Sequence, residues 1–250
     1  MIRRYIKSVF RLFGFELSRS GTSPVNAFSI QKELIKVQEP IIFDIGAYIG
    51  GVAKFYRDLF PFGIIHCFEP FPHSFQILSS NVGNDPRIFC HEIAVSEERG
   101  SAILNANLSP TTNSLLETDE KGANFFGEGK LDTTALVDVG TTTIDTFCLE
   151  AGISHIDILK MDVQGSEYFV LMGAKNMLEN HQISLVYTEI ILRPSYKGQR
   201  KLHEYLTLFD SFGYELLDIY NQSRNQNQLI QVDVIFLSSS FRMLSKKWDH

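Results

Sequence analysis

Asp44, Glu69, Asp162 and Glu189 are the residues from which a chemical reading of this chain begins. Each stands at or near the end of an apolar run of strand character, over residues 41–45, 63–68, 155–161 and 183–187. A carboxylate in a buried strand is costly unless something polar meets it. In open α/β sheets ligands bind outside the carboxyl ends of the strands, where strand order reverses. Taken singly, each acid is also a fair helix cap or solvated loop residue. Four acids in equivalent places favour a shared polar crevice. Between the first two lies a turn, Gly46-Ala47-Tyr48-Ile49-Gly50-Gly51, leading into an amphipathic segment at 52–60. Its glycines give the permissive backbone of a ligand-binding turn, and a helix start leaves amide donors unpaired. Glu69 follows about 20 residues later, the spacing at which an acid accepts hydrogen bonds from ribose hydroxyls.

The turn also discriminates among cofactors. A dinucleotide fold prefers Gly-x-Gly-x-x-Gly, which brings backbone against a pyrophosphate; here Tyr48 holds the middle position. An anion beside Asp44 would be repelled, whereas a cationic amine or sulfonium would be attracted. A nicotinamide-dependent oxidoreductase on a similar sheet is therefore the disfavoured alternative, and no Tyr-x-x-x-Lys pair supports it. A second alternative is a non-catalytic nucleoside-binding module that keeps the fold without the reaction. No His, Cys and acid spacing suggests a metal site, and there is no Gly-x-Ser-x-Gly nucleophile elbow.

Three stretches carry a family resemblance: Asp-Ile-Gly-Ala-Tyr-Ile-Gly at 44–50, Phe-Glu-Pro-Phe-Pro at 68–72 and Lys-Met-Asp-Val-Gln-Gly-Ser-Glu at 160–167. In order and spacing they resemble the signatures of FkbM-type methyltransferases over roughly residues 40–220. The resemblance implies S-adenosylmethionine as methyl donor and a class I methyltransferase (Rossmann-like) doubly wound α/β sheet, mostly parallel with an antiparallel last strand. It also implies O-methylation of a hydroxyl on a saccharide, glycoconjugate or related natural product. Carried over, Gly46, Ala47 and Gly50 would border the methionine part of the donor and Asp44 would help hold its amino end. Glu69 would take the ribose hydroxyls, and Ala94, Val95 and Ser96 would lie near adenine. Asp162 would face the methyl group and incoming hydroxyl as first candidate for base or orienting residue, with Glu189 second. Gln164 departs from the family, which usually has Glu there.

These residues need elements to position them. Strand-like runs alternating with helical patterns (helices over 29–38, 75–82, 144–151, 168–179 and 201–212) imply βαβ units and a parallel sheet. A third strand is expected over 87–95. Residues 214–219 and 229–237 are joined by a polar stretch too short for a helical crossover, so they should pair antiparallel. Residues 96–132, rich over 107–130 in Ser, Thr, Asn and Gly, break the rhythm and are expected to form a substrate-facing insertion with a short strand at 101–106, after which order returns with a strand at 134–139. The segment 190–199 should share in the acceptor pocket, and Phe125, Phe126 and Tyr196 suit either stacking on a sugar or packing. His66 and His91 read as core or edge residues, while His73 follows the Glu69 turn closely enough to approach a ligand.

A domain over 29–250 is expected behind an N-terminal helix and loop at 1–28. Residues 1–13 place Ile2, Tyr5, Ile6, Val9, Phe10 and Phe13 on one helical face and Arg3, Arg4, Lys7 and Arg11 on the other. That pattern suits docking on the protein itself or peripheral contact with an anionic membrane; it lacks the apolar core and cleavage site of a secretory signal. A net charge of −6 argues against a general nucleic-acid binder. Cys67, Cys90 and Cys148, without a Cys-x-x-Cys pair, read as free thiols in a reducing cytoplasm. The expected location is cytoplasmic, with the inner membrane face as an alternative, and the expected partner is a small-molecule or glycan acceptor. Oligomeric state is not legible.

Overall fold

A computed structural model describes residues 26–127 and 129–244. The expected helix at 1–13 lies outside the described residues. Within them the chain runs α1 (Ala27–Leu34), β1 (Ile41–Ile45), α2 (Gly51–Leu59), β2 (Ile64–Phe68), α3 (Pro72–Val82), β3 (Ile88–His91), β4 (Ala94–Val95) and β5 (Gly100–Asn107). It continues through α4 (Ala123–Phe126), β6 (Thr133–Thr142), α5 (Ile144–Ala151), β7 (Ile156–Met161), α6 (Glu167–Met172) and α7 (Lys175–Glu179). The last elements are β8 (Ile183–Ile191), α8 (Leu202–Ser211), β9 (Tyr214–Asn225), β10 (Gln228–Ser238) and α9 (Ser239–Leu244).

The main sheet has seven strands in the order β3-β2-β1-β7-β8-β10-β9. β1 pairs parallel with both β2 and β7, so strand order reverses beside it. β10 alone runs against its neighbours, which gives the mostly parallel, doubly wound sheet of class I methyltransferases. The hairpin β9–β10 turns within two residues, so the polar stretch expected as a connector is itself strand. Alternation along β1 divides the core. Phe43 and Ile45 pack with Phe68, Leu159 and Met161 on one face, while Ile42 packs with Ala53, Tyr56 and Ile65 on the other.

Two elements divide where sequence periodicity runs on. The strand expected over 87–95 leaves the main sheet after His91. Ala94 and Val95 instead pair with Thr141 and Thr142 in a second, three-stranded sheet, β4-β6-β5. The helix expected over 168–179 breaks at Gly173, where an added Cβ would lie 2.1 Å from the Ser96 carbonyl oxygen. Asp145 then caps the second piece, its carboxylate accepting from the Asn176 and Met177 amides at 2.8 and 3.0 Å. The irregular insertion is shorter than expected. β5 and β6 pair antiparallel along their length, leaving residues 108–132 as the excursion between them.

One buried ion pair ties the sheet to its glycine turn. Asp44 is wholly buried, and its Oδ1 lies 2.8 Å from Lys160 Nζ on the adjacent strand. The approach is not aligned as a hydrogen bond, and Asp44 Oδ2 has no hydrogen-bond partner among the described residues. Lys160 Nζ donates to the Gly46 carbonyl oxygen at 3.1 Å. Burial alone would pull the Lys160 ammonium down, but Asp44, then Asp162, outweigh it and hold it above its usual range. Removing one partner of a buried pair strands the other charge. Lys160→Met should therefore lower stability by roughly 3–5 kcal/mol in urea unfolding, and adding Asp44→Asn should recover most of it. A double variant no more stable than the single would show that the pair is not what Lys160 contributes.

Candidate functional site

The cleft opens at the carboxyl ends of β1, β2 and β7, and offers about 730 Å³ out to its solvent mouth. Its two sides follow from two turns. Past β1 the amides of Gly46 and Ala47 both donate to the Phe68 carbonyl oxygen at 3.0 Å. Gly46 has φ +76, and a Cβ there would lie 2.0 Å from the Asp162 carbonyl oxygen. Gly50, at φ +86, meets the side chains of Leu78 and Val82. Both glycines are thus demanded by chain packing as well as by turn shape. Tyr48 adopts φ +50, a left-handed conformation uncommon for a residue with a side chain. The turn keeps a glycine-like backbone at 48 while carrying a phenol ring at the cleft.

Glu69 is fixed by that turn. Its Oε2 accepts from the Tyr48 amide and its Oε1 from the Phe71 amide, both at 2.9 Å. Burial pushes its carboxyl up to about 7 in spite of these two amides. On the opposite side the β7 turn presents Asp162, whose amide donates to the Ile45 carbonyl oxygen at 3.0 Å. Beneath it Glu167, fully buried, accepts from the Val163 and Gly165 amides at 2.9 and 3.3 Å. The roof is the start of the 108–132 excursion, with Pro110, Thr111, Asn113, Ser114 and Leu115 on the cleft. Asn107 holds it by donating from Nδ2 to the Thr112 carbonyl oxygen at 2.6 Å.

Of the residues expected at the site, Gly46, Glu69, Ala94, Val95 and Asp162 line the cleft. Asp44 lies beneath it, paired with Lys160. Negative charge facing the cleft therefore comes from Glu69 and Asp162, while Asp44 is answered from below. Ala47 and Gly50 are buried within the turn. Ser96 is bonded through its amide to the Thr142 carbonyl oxygen and packs on Gly173, off the cleft lining. Glu189 lies inside β8, which runs to Ile191, instead of beyond a strand end at 187. It is buried, accepting from Gln164 at 3.0 Å and from Gln231 at 2.5 Å. Burial, then the carboxylates of Asp162, Glu167 and Asp233, hold its carboxyl well above the usual range.

The aromatic and histidine candidates sort clearly. Tyr196 is buried, and Phe126 packs against its cluster. His73 is exposed and is not part of the cleft lining. His66 and His91 stack with a nitrogen–nitrogen distance of 3.1 Å, and burial, then His91, lowers His66 to about 4. The roof falls within the expected substrate-facing insertion at 96–132, but sequence reasoning singled out none of its cleft residues, which carry no motif. It registered Gln164 as a departure but not as a bridge between acids.

Sheet order, switch-point cleft and paired acids define a class I methyltransferase. The profile of the methyltransferase FkbM domain family matches residues 44–216, and the chain belongs to that family. Among similar proteins, 2-O-methyltransferase NoeI of Sinorhizobium fredii is 29% identical over 206 residues, 79% of this chain and 83% of that protein. 31-O-demethyl-FK506 methyltransferase FkbM of Streptomyces tacrolimicus is 29% identical over 155 residues, 54% of this chain and 60% of that one. A crystal structure of methyltransferase FkbM from Methylobacillus flagellatus aligns with a TM-score of 0.49 and 15% identity, over 80% of this chain and 45% of that chain. The protein is an O-methyltransferase of FkbM type, and its family and fold imply S-adenosylmethionine as donor. Among the described residues no helix is long and apolar enough to cross a membrane.

Glu167 gives the site a signature in stability. Its carboxyl rises from an ordinary 4.5 to about 7, through burial first, with Asp162 adding to it. Folding therefore takes up a proton in that interval, and the resulting stability, complete below the lower value, is lost as pH rises through the upper one. Glu167→Gln should fall less in urea midpoint than wild type between about pH 5 and about pH 8. Identical slopes would mean that this carboxyl does not take up the proton.

Proposed function

We propose that the cleft binds S-adenosylmethionine between Glu69 and Asp162 and directs its methyl group to a hydroxyl of a saccharide, glycoconjugate or related natural product. The observation that carries this reading is the charge of the lining: among the described residues Glu69 and Asp162 are its charged groups, with no lysine or arginine beside them. Such a lining disfavours a pyrophosphate and suits ribose hydroxyls and a sulfonium. Glu69, already gripped by two amides, is pre-oriented to accept from ribose. Ala94 and Val95 supply apolar surface for an adenine face. The acceptor class is supported by the relatives, one named for 2-O-methylation and one for a 31-O position on FK506.

When bound, the donor supplies an electrophilic methyl group, so the protein's work is alignment and removal of one proton. Holding an acceptor oxygen in line accounts for much of the rate. An alcohol gains nucleophilicity as its proton is drawn toward a carboxylate, a role that falls to Asp162 at the edge of the cleft. Glu189, behind Gln164, supports that carboxylate instead of meeting the acceptor.

Two outcomes test the assignment. Glu69→Ala should weaken S-adenosylmethionine binding by roughly 1–3 kcal/mol in calorimetric titration. Wild-type affinity should also fall as pH drops through about 7, where Glu69 gains a proton and loses acceptor capacity. Unchanged affinity in the variant would remove Glu69 from the donor site. Asp162→Asn should slow methyl transfer to a responsive sugar acceptor by about 10²–10⁴-fold, a loss larger than any accompanying fall in donor affinity measured by calorimetry. Transfer at the wild-type rate would deny Asp162 a part in the chemistry.

A further inference from the structure

Gln164 sits at the centre of four interactions that its place in a loop does not require. Its Nε2 donates to Asp162 Oδ1 at 2.8 Å and to Glu189 Oε2 at 3.0 Å. Its Oε1 accepts from the Tyr196 hydroxyl at 3.1 Å, and its main-chain carbonyl accepts from Ser114 Oγ at 2.8 Å. The Tyr196 hydroxyl is also 2.9 Å from the Thr112 carbonyl oxygen, so its one proton is shared between roof and amide. The amide's orientation is forced. The Tyr196 hydroxyl donates to the Thr112 carbonyl oxygen, so it meets the carboxamide oxygen as a donor, and the NH₂ is left to face Asp162 and Glu189.

Gln164 also has φ +55. A left-handed conformation in a residue with a side chain is strained and persists only where the surroundings over-determine it. Here the surroundings are two carboxylates below and the roof segment above. The titratable groups gathered on this point are Asp162 on the same loop, Glu167 on α6, Glu189 on β8, Asp233 on β10, Lys160 on β7 and Tyr196. Acids outnumber the single lysine. A glutamate at 164 would add an acceptor to groups that already accept, and even with a proton it could donate to only one of the two acids at a time.

We propose that Gln164 is a positioning residue, whose carboxamide clasps Asp162 to Glu189 and steadies the Tyr196 hydroxyl beside Thr112, while its main-chain carbonyl latches Ser114 of the 107–116 roof. Closing the cleft and aiming Asp162 then become one event. This rests on the donor reading of the cleft but makes a separate claim about the roof. A carboxamide performs both donations at neutral pH, where a carboxylate would need a proton to make even one of them.

The test compares full-length wild type, Gln164→Met and Gln164→Glu. Hydrogen exchange in residues 107–116 is followed without ligand at about pH 6 and about pH 8, corrected for intrinsic exchange, alongside calorimetric titration with S-adenosylmethionine at both values. The methionine variant should raise exchange in this segment about tenfold at both pH values, a loss comparable to one or two hydrogen bonds. The glutamate variant should match that rise at the higher pH and return toward wild type at the lower, with donor affinity following the same pattern. A rise that ignores pH in the glutamate variant, or wild-type exchange in both variants, would overturn the clasp. So would a rise spread evenly over all segments, since that reports global loosening. Wild-type protein that binds no S-adenosylmethionine at either pH would overturn the donor reading, while the exchange comparison would still judge the clasp.

Discussion

The ion pair between Asp44 and Lys160 is the interaction on which the rest of the site depends. A lysine and an aspartate buried on adjacent parallel strands can be held there only by each other. Lys160 donates onward to the Gly46 carbonyl oxygen, which fixes the turn after β1 against the end of β7. The Asp162 amide completes the joint from the other side through the Ile45 carbonyl oxygen. The two halves of the cleft, one bearing Glu69 and one bearing Asp162, are therefore registered by a single knot of buried charge and backbone. Charge that looked from the sequence like a ligand contact is structural first.

Around this knot the protein arranges carboxyl groups by depth. Glu69 and Asp162 reach the cleft, Glu167 and Glu189 lie behind it, and Asp233 faces Glu189 across the β8–β10 pairing. Burial raises the Glu69 and Glu167 carboxyls toward neutrality, which spares the fold from holding every acid ionised. Amides do much of the remaining work. Backbone N–H groups grip Glu69 and Glu167, and side-chain amides from Gln164 and Gln231 grip Glu189. Cationic side chains are scarce in this layer, in keeping with a site whose ligand brings positive charge.

Much of this was legible in the sequence, for identifiable reasons. The apolar runs ending in Asp44, Glu69 and Asp162 mark parallel strands because both faces of such strands are covered, and the short polar link before residue 229 marks the antiparallel pair. What escaped was decided by contacts distant along the chain. Nothing local says that β3 ends at His91 so that Ala94 and Val95 can join a second sheet. Gly173 reads as a tolerated glycine in a helix until the Ser96 carbonyl oxygen is found against it. Glu189 appeared to lie past a strand end because Thr188 and Glu189 are polar, yet β10 pairs alongside and carries the strand to Ile191. That the 96–132 insertion faces the site was legible, but the order of its roof was not, because that order comes from Asn107, Tyr196 and Gln164, residues spread over nearly 90 positions.

The near-contact of Gly46 with Asp162 has a consequence for traffic. Parting the two turns would disrupt a buried ion pair, at several kcal/mol, together with the backbone joint around it. Lifting the roof breaks hydrogen bonds of about 1 kcal/mol each. Floor and ceiling therefore differ in compliance, the ceiling being the more easily parted of the two. Sequence changes that alter turnover without touching chemistry should accumulate along 107–116, leaving the interlocked floor as the part of the enzyme that cannot drift.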